Sequence, residues 1–107
     1  MEAVILAGGF GTRLRAVVPD LPKPLAPVAG RPFLAILLAE LARQGFTRVV
    51  LSVGYKHELI RATFGEQFMG MEVAYAVEEQ PLGTGGAIRL ASRQCRGEEM
   101  FVLNGDS

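Results

Sequence analysis

The residues of this sequence best suited to chemistry fall in short groups, each set directly after an apolar run or inside a proline-rich stretch. Gly8, Gly9, Gly11, Thr12 and Arg13 follow Val4-Ile5-Leu6-Ala7. Lys23 is flanked by Pro22 and Pro24. Glu78, Glu79 and Gln80 precede a second glycine run, Gly83-Thr84-Gly85-Gly86, and Asp106 follows Asn104-Gly105 after Met100–Leu103. Glycines lack a Cβ, so backbone N–H groups at Gly8, Gly9 and Gly11 can approach phosphate oxygens closely. Arg13 presents a planar fork that bonds anionic oxygens in pairs. The prolines around Lys23 hold its backbone extended and can aim the ammonium at a fixed point, such as the glycine loop.

The first loop departs from the two common phosphate-binding patterns. Walker A places Lys and then Ser or Thr after the second glycine, where this chain has Thr12 and Arg13. The dinucleotide fingerprint needs a third glycine where this chain has Leu14. In the 78–86 stretch, carboxylates and an amide suit the edge of a planar base. Glu78, Glu79 or Gln80 would take that edge, and Gly85 or Gly86 would stand where a ring approaches the backbone. A solvated acidic loop with a glycine-rich helix start is the plain alternative.

Composition sets the frame. The chain has 107 residues, half of them hydrophobic, with formal net charge zero. That fits one globular domain at most, and argues against disorder and against nucleic acid as the main partner. No apolar run approaches the roughly 18 residues of a membrane span, and no basic segment with an apolar h-region opens the chain. It therefore reads as cytoplasmic, neither secreted nor anchored. Cys95 and His57 are the only residues of their kinds, which excludes an internal disulfide, a cysteine zinc site or a multi-histidine site within the chain.

The elements that must position these groups follow from periodicity. Residues 3–7 read as a buried strand, and 8–31 as a long proline-rich loop. Pro32 suits the first position of a helix that runs to about Gln44 and stops at Gly45. Its apolar residues cover more than half its circumference, which predicts packing on the sheet and on a further surface, such as a missing segment or a second subunit. Residues 48–53 read as a strand buried on both faces, 56–64 as a helix, 72–77 as a strand, 87–93 as a helix and 100–103 as a last strand. The alternation predicts an α/β fold: a mainly parallel sheet with helices on both faces, Rossmann-like, with the chemical loops at its carboxyl edge. A strand placed last in such a pattern lacks its crossover helix, so the sequence reads as part of a longer domain. A glycine cradle, a cation pair, a base-reading loop and a hard carboxylate together suit a nucleotide with a divalent metal.

In order and spacing, LAGGFGTRL, PKPL, EEQPLGTGGA and NGDS resemble the sugar-1-phosphate nucleotidyltransferases, also called sugar-nucleotide pyrophosphorylases. FGTRL, PKPLAPVAGRPF and NGDS look closest to the D-glycero-α-D-manno-heptose 1-phosphate guanylyltransferases, with mannose-1-phosphate guanylyltransferases near behind. The resemblance implies that a sugar 1-phosphate oxygen attacks the α-phosphorus of a nucleoside triphosphate, releasing pyrophosphate. By that likeness Leu6, Ala7, Gly8 and Gly9 hold the base and ribose side, and Gly11, Thr12 and Arg13 the outer phosphates. Lys23 neutralises charge near the α-phosphate, Gly83, Thr84 and Gly85 join the nucleotide-binding set, and Asp106 ligates Mg²⁺. Arg13 and Lys23 are the expected catalytic cations.

Relatives that use uracil or thymine nucleotides commonly carry a Gln in the base loop. Guanine presents N–H donors that a carboxylate accepts well, so Glu78 is expected to read guanine, with Gln80 as its rival. The resemblance further implies that residues 1–107 are the N-terminal, nucleotide-binding part of a single domain, cut after its first metal carboxylate. Such a part is expected to bind nucleotide weakly without turnover. Two other readings stay open: a non-catalytic nucleotide-sugar sensor on the same scaffold, and a nucleotidyltransferase with another nucleotide or acceptor.

Overall fold

The computed structural model describes residues 1–7, 27–28, 30–54, 57–78, 83–97 and 100–104. Ten elements follow in order among them. Strand β1 (Glu2–Ala7) is followed by the two-residue strands β2 (Pro27–Val28) and β3 (Arg31–Pro32). Helix α1 (Phe33–Arg43), strand β4 (Arg48–Val53) and helix α2 (His57–Phe64) come next. Then come β5 (Gln67–Phe68), β6 (Met71–Val77), helix α3 (Gly83–Ser92) and β7 (Met100–Asn104). The main sheet has the order β5-β6-β4-β1-β7 and is parallel except for β5.

Strand β4 lies at the centre of this sheet because its sequence has apolar residues for both faces. Alternation sends Val49, Leu51 and Val53 to one side and Val50 and Ser52 to the other. On the first side they join Ala3, Ile5, Leu34, Leu38, Ile60 and Phe64, which brings α1 and α2 onto that face. On the second side Val50 packs with Val4, Ala76 and Ala91, which brings α3 onto the opposite face. The predicted two-sided α/β sheet is therefore the observed one.

Several boundaries differ from the sequence reading. Pro32 does not begin α1. It is the capping residue before it, extended at ψ 137°, and pairs with Pro27 in the short β2–β3 hairpin. The hairpin turns through Gly30 at φ +80°, where L side chains are strained. Leu34, Ala35, Leu38 and Leu41 form the buried stripe of α1, while Phe33, Ile36 and Leu37 are half-buried. Gly45, at φ +93°, follows the C-cap Gln44 as expected. Strand β5 was absent from the sequence reading; it forms a tight antiparallel turn with β6 through Met69 at φ 51° and Gly70 at φ 84°.

Helix α3 departs most. Periodicity and glycine content place its start at about Ala87, yet it begins at Gly83. Glycine disfavours helix interiors by about 1 kcal/mol relative to Ala. Here tertiary packing prevails: Ala87 and Ala91 are buried, and Leu90 joins the cluster on Val4 and Val50. Gly83, Thr84, Gly85 and Gly86 thus form the first turn of a helix rather than a glycine loop before one.

Candidate functional site

Strand register places the ends that matter side by side. Val77 pairs with Val53, Val53 with Ala7, and Leu6 with Asn104. The segments that leave these strands carry Gly8–Arg13, Glu78–Gln80 and Asp106, so all depart from one carboxyl edge. Ligands in open α/β sheets bind at this edge. Gly8, Gly9, Gly11, Thr12, Arg13, Lys23, Gln80 and Asp106 lie outside the described residues. Leu6 is half-buried against the Val4 cluster, and Ala7 is buried.

Glu78 is an expected site residue with a polar side chain among the described residues. Its backbone N–H donates to the Val53 carbonyl at 2.7 Å, extending the β6–β4 ladder by one residue beyond β6. Its carboxylate Oε1 accepts from the Ser52 hydroxyl at 3.3 Å. Alternation puts Glu78 on the same face as Ala76, which is the α3 face. Ser52 is fully buried on that face, and the sequence reading missed it. A serine inside the run VVLSV gives no local sign of function; only the register with β6 pairs it with a residue 26 positions away.

Helix α3 starts at the same edge and descends across the face toward the amino ends of the strands. Near its far end Cys95 Sγ lies 3.9 Å from Met100 Sδ at the start of β7. The first N–H groups of a helix have no partner inside it and suit anionic groups. Gly85 in that turn is exposed, and a Cβ built on it would meet no atom within 4 Å. No packing among the described residues therefore explains a glycine there.

His57 stands apart from this arrangement. It is the first residue of α2, donates its backbone N–H to the Gly54 carbonyl at 3.1 Å, and sets Nε2 3.0 Å from its neighbour Glu58. Among the described residues no group of three or more His, Cys, Asp or Glu side chains is placed to hold a metal.

The opposite, amino edge holds a separate ionic cluster. Glu2, 8% exposed, accepts the backbone N–H of Arg96 at 3.0 and 2.9 Å and that of Gly97. These bonds, the Arg96 one foremost, hold its carboxyl below the ordinary 4.5 against the opposing effect of burial, with Arg48 assisting. Arg48 is 3.7 Å from Glu2 and also pairs with Glu72. A cavity of about 680 Å³ opens beside this cluster, lined by Met1, Thr47 and Phe101 among others. It contains none of the expected site residues, and the cluster ties β1 to the segment before β7 rather than building the site.

A sequence profile described as nucleotidyl transferase matches residues 2–107. The chain belongs to the nucleotidyl transferase family. It is 50% identical over 107 residues to a D-glycero-α-D-manno-heptose 1-phosphate guanylyltransferase of Aneurinibacillus thermoaerophilus, covering 100% of this chain and 46% of that protein. A mannose-1-phosphate guanylyltransferase of Mycobacterium tuberculosis is 43% identical, over 99% of this chain and 30% of its own length. The crystal structure of HddC from Yersinia pseudotuberculosis complexed with GMP-PN superposes with a TM-score of 0.85 at 42% identity, over 98% of this chain and 47% of that one. This nucleotidyl transferase chain thus spans less than half the length of these relatives. No helix among its described residues is long and apolar enough to cross a membrane.

Proposed function

We propose that this chain carries the nucleotide-binding half of a sugar-1-phosphate guanylyltransferase, which joins GTP to a heptose or mannose 1-phosphate. The observation that supports it most is the register of β6, β4, β1 and β7. It brings the departure points of the glycine loop, the base loop and Asp106 to one edge. That relatives of this chain are named guanylyltransferases supports guanine as the base. Glu78, anchored at that edge, offers the acceptor oxygens that the N–H donors of guanine need.

In this reading Leu6, Ala7, Gly8 and Gly9 contact the base and ribose, and Gly83, Thr84 and Gly85 receive the base from the α3 side. Gly11, Thr12 and Arg13 hold the β- and γ-phosphates. An oxygen of the sugar phosphate bonds to the α-phosphorus, the bond from that phosphorus to the bridging oxygen breaks, and pyrophosphate leaves. Lys23 and Arg13 balance the charge that builds on the phosphate oxygens. Asp106 would hold Mg²⁺ by a hard carboxylate oxygen, and the ion would neutralise phosphate charge and orient the triphosphate. Such chemistry depends on positioning and charge more than on a protein nucleophile, in keeping with the absence of a catalytic Ser, Cys or His from the proposal.

Two substitutions test the reading. Glu78→Gln is expected to abolish the preference for GTP over UTP in a binding titration, and Asp106→Asn to remove the dependence of GTP binding on Mg²⁺. An unchanged GTP preference in Glu78→Gln would move the base contact to Gln80. Unchanged Mg²⁺ dependence in Asp106→Asn would remove the metal role assigned to that carboxylate.

A further inference from the structure

We propose that Arg89 is a specificity-determining residue for the base: its guanidinium reaches along helix α3, over Gly85, and bonds O6 and N7 of guanine. The proposal rests on the guanylyltransferase reading of the carboxyl edge.

Arg89 lies four residues after Gly85 on α3. Residues at that spacing share one face of a helix, and both are exposed. Helix side chains lean toward the N-terminus and cover the turn before their own Cα. The surface open to Arg89 is therefore the turn that carries Gly85. That surface is bare, because a Cβ built on Gly85 would meet no atom within 4 Å. Four residues of helix rise about 6 Å, which an extended arginine side chain spans. A side chain at position 85 would lie across the path, so the glycine that no packing explains gains a reason here.

The guanidinium is also uncommitted. Arg43, Arg48, Arg61 and Arg96 each pair with a glutamate, whereas Arg89 pairs with no carboxylate among the described residues. Its backbone carbonyl accepts from the Ser92 hydroxyl at 2.8 Å, which leaves the side chain free. Helix α3 begins at the carboxyl edge, so a cation drawn to its first turn meets a ligand bound there. Guanine presents two adjacent acceptors, O6 and N7, and the planar fork of arginine matches them with two parallel N–H donors. Adenine carries an amino group in place of O6, so the same fork would face a donor. A cation in the last turn of α3 also complements the helix dipole, but that role takes no account of the base.

The test is calorimetric titration of the unaltered chain, Arg89→Met and Arg93→Met with GTP, ATP and 7-deaza-GTP, in which a C–H replaces N7. Thermal melting of each variant accompanies it. Arg93 is exposed and lies four residues farther from the edge, so its variant controls for the loss of one surface cation. The unaltered chain is expected to bind GTP more tightly than either analogue. Arg89→Met should weaken GTP binding about tenfold, the scale of one bidentate pair to guanine, and should bind GTP and 7-deaza-GTP alike. Arg93→Met should keep the GTP:7-deaza-GTP ratio of the unaltered chain.

An Arg89→Met variant that keeps this ratio overturns the role of Arg89 and leaves the guanine reading standing. So does an unaltered chain that prefers GTP to ATP but not to 7-deaza-GTP. Equal weakening of all three nucleotides in Arg89→Met, with or without a lowered melting temperature, overturns the proposal, because a cation acting on phosphates or on the helix treats the bases alike. The same loss of ratio in Arg93→Met overturns it as well. An unaltered chain that binds GTP no better than ATP, or does not bind it, overturns both the proposal and the guanine reading.

Discussion

Glu2→Gln isolates one interaction whose contribution can be worked out and whose pH dependence has a definite sign. The side chain keeps its volume and loses its charge. In the folded chain the Glu2 carboxylate accepts N–H bonds from Arg96 and Gly97 and faces Arg48 at 3.7 Å. A hydrogen bond to a charged group contributes about 1.5–3 kcal/mol net. Glutamine retains one acceptor oxygen but turns an N–H₂ group toward donors, so the expected loss at pH 7 is about 2–3 kcal/mol on that scale. The carboxyl is held below its ordinary 4.5 in the folded chain. Its contribution is therefore complete above that value and disappears as pH falls through the lowered folded value. Urea unfolding of both proteins between pH 7 and pH 3 would measure this. The stability difference should be full at neutral pH and shrink steadily below about 4.5, the ordinary carboxyl value. A difference that stays constant across the series, or is absent at pH 7, would refute the reasoning.

Three further predictions concern the scaffold and the site. Leu51→Ala removes a fully buried side chain from the central strand, and should cost about 2–5 kcal/mol in urea unfolding. Gly45→Ala and Gly85→Ala should diverge. Gly45 sits at φ +93°, so alanine there should destabilise by about 1–2 kcal/mol. Alanine at Gly85 meets open space in a helix, and should stabilise folding by up to about 1 kcal/mol while weakening GTP binding. Burial, with a smaller contribution from Glu2, pushes the Cys95 thiol above its ordinary 9.0, so alkylation in the native chain at pH 7.5 should run well below the rate of free cysteine, and rise on unfolding in urea.

The sheet was legible because its strands are apolar on both faces. VILA and VVLSV admit few other readings, and the helices between them alternate in the way parallel strands require. What escaped depended on partners distant in sequence. Strand β5 is two residues long and carries no period of its own; its turn is marked only by Gly70. The start of α3 was hidden because glycine propensity opposes a helix that Ala87 and Ala91 stabilise by packing. Glu2 meets backbone groups 94 and 95 residues away, and Ser52 meets Glu78 only across the β4–β6 register. For the site, residue types and order suggested candidate groups, and the register adds that the strands before them end together. The geometry of Gly8–Arg13, Lys23, Gln80 and Asp106 lies outside the described residues, so their roles rest on chemistry and on relatives.

The most direct test of the proposed function is calorimetric titration of the chain with GTP, UTP, dTTP, ATP and CTP, each with and without Mg²⁺. The proposal predicts that GTP binds most tightly and that its binding depends on Mg²⁺. Preference for UTP or dTTP, equal binding of all five, or no binding of GTP would contradict it.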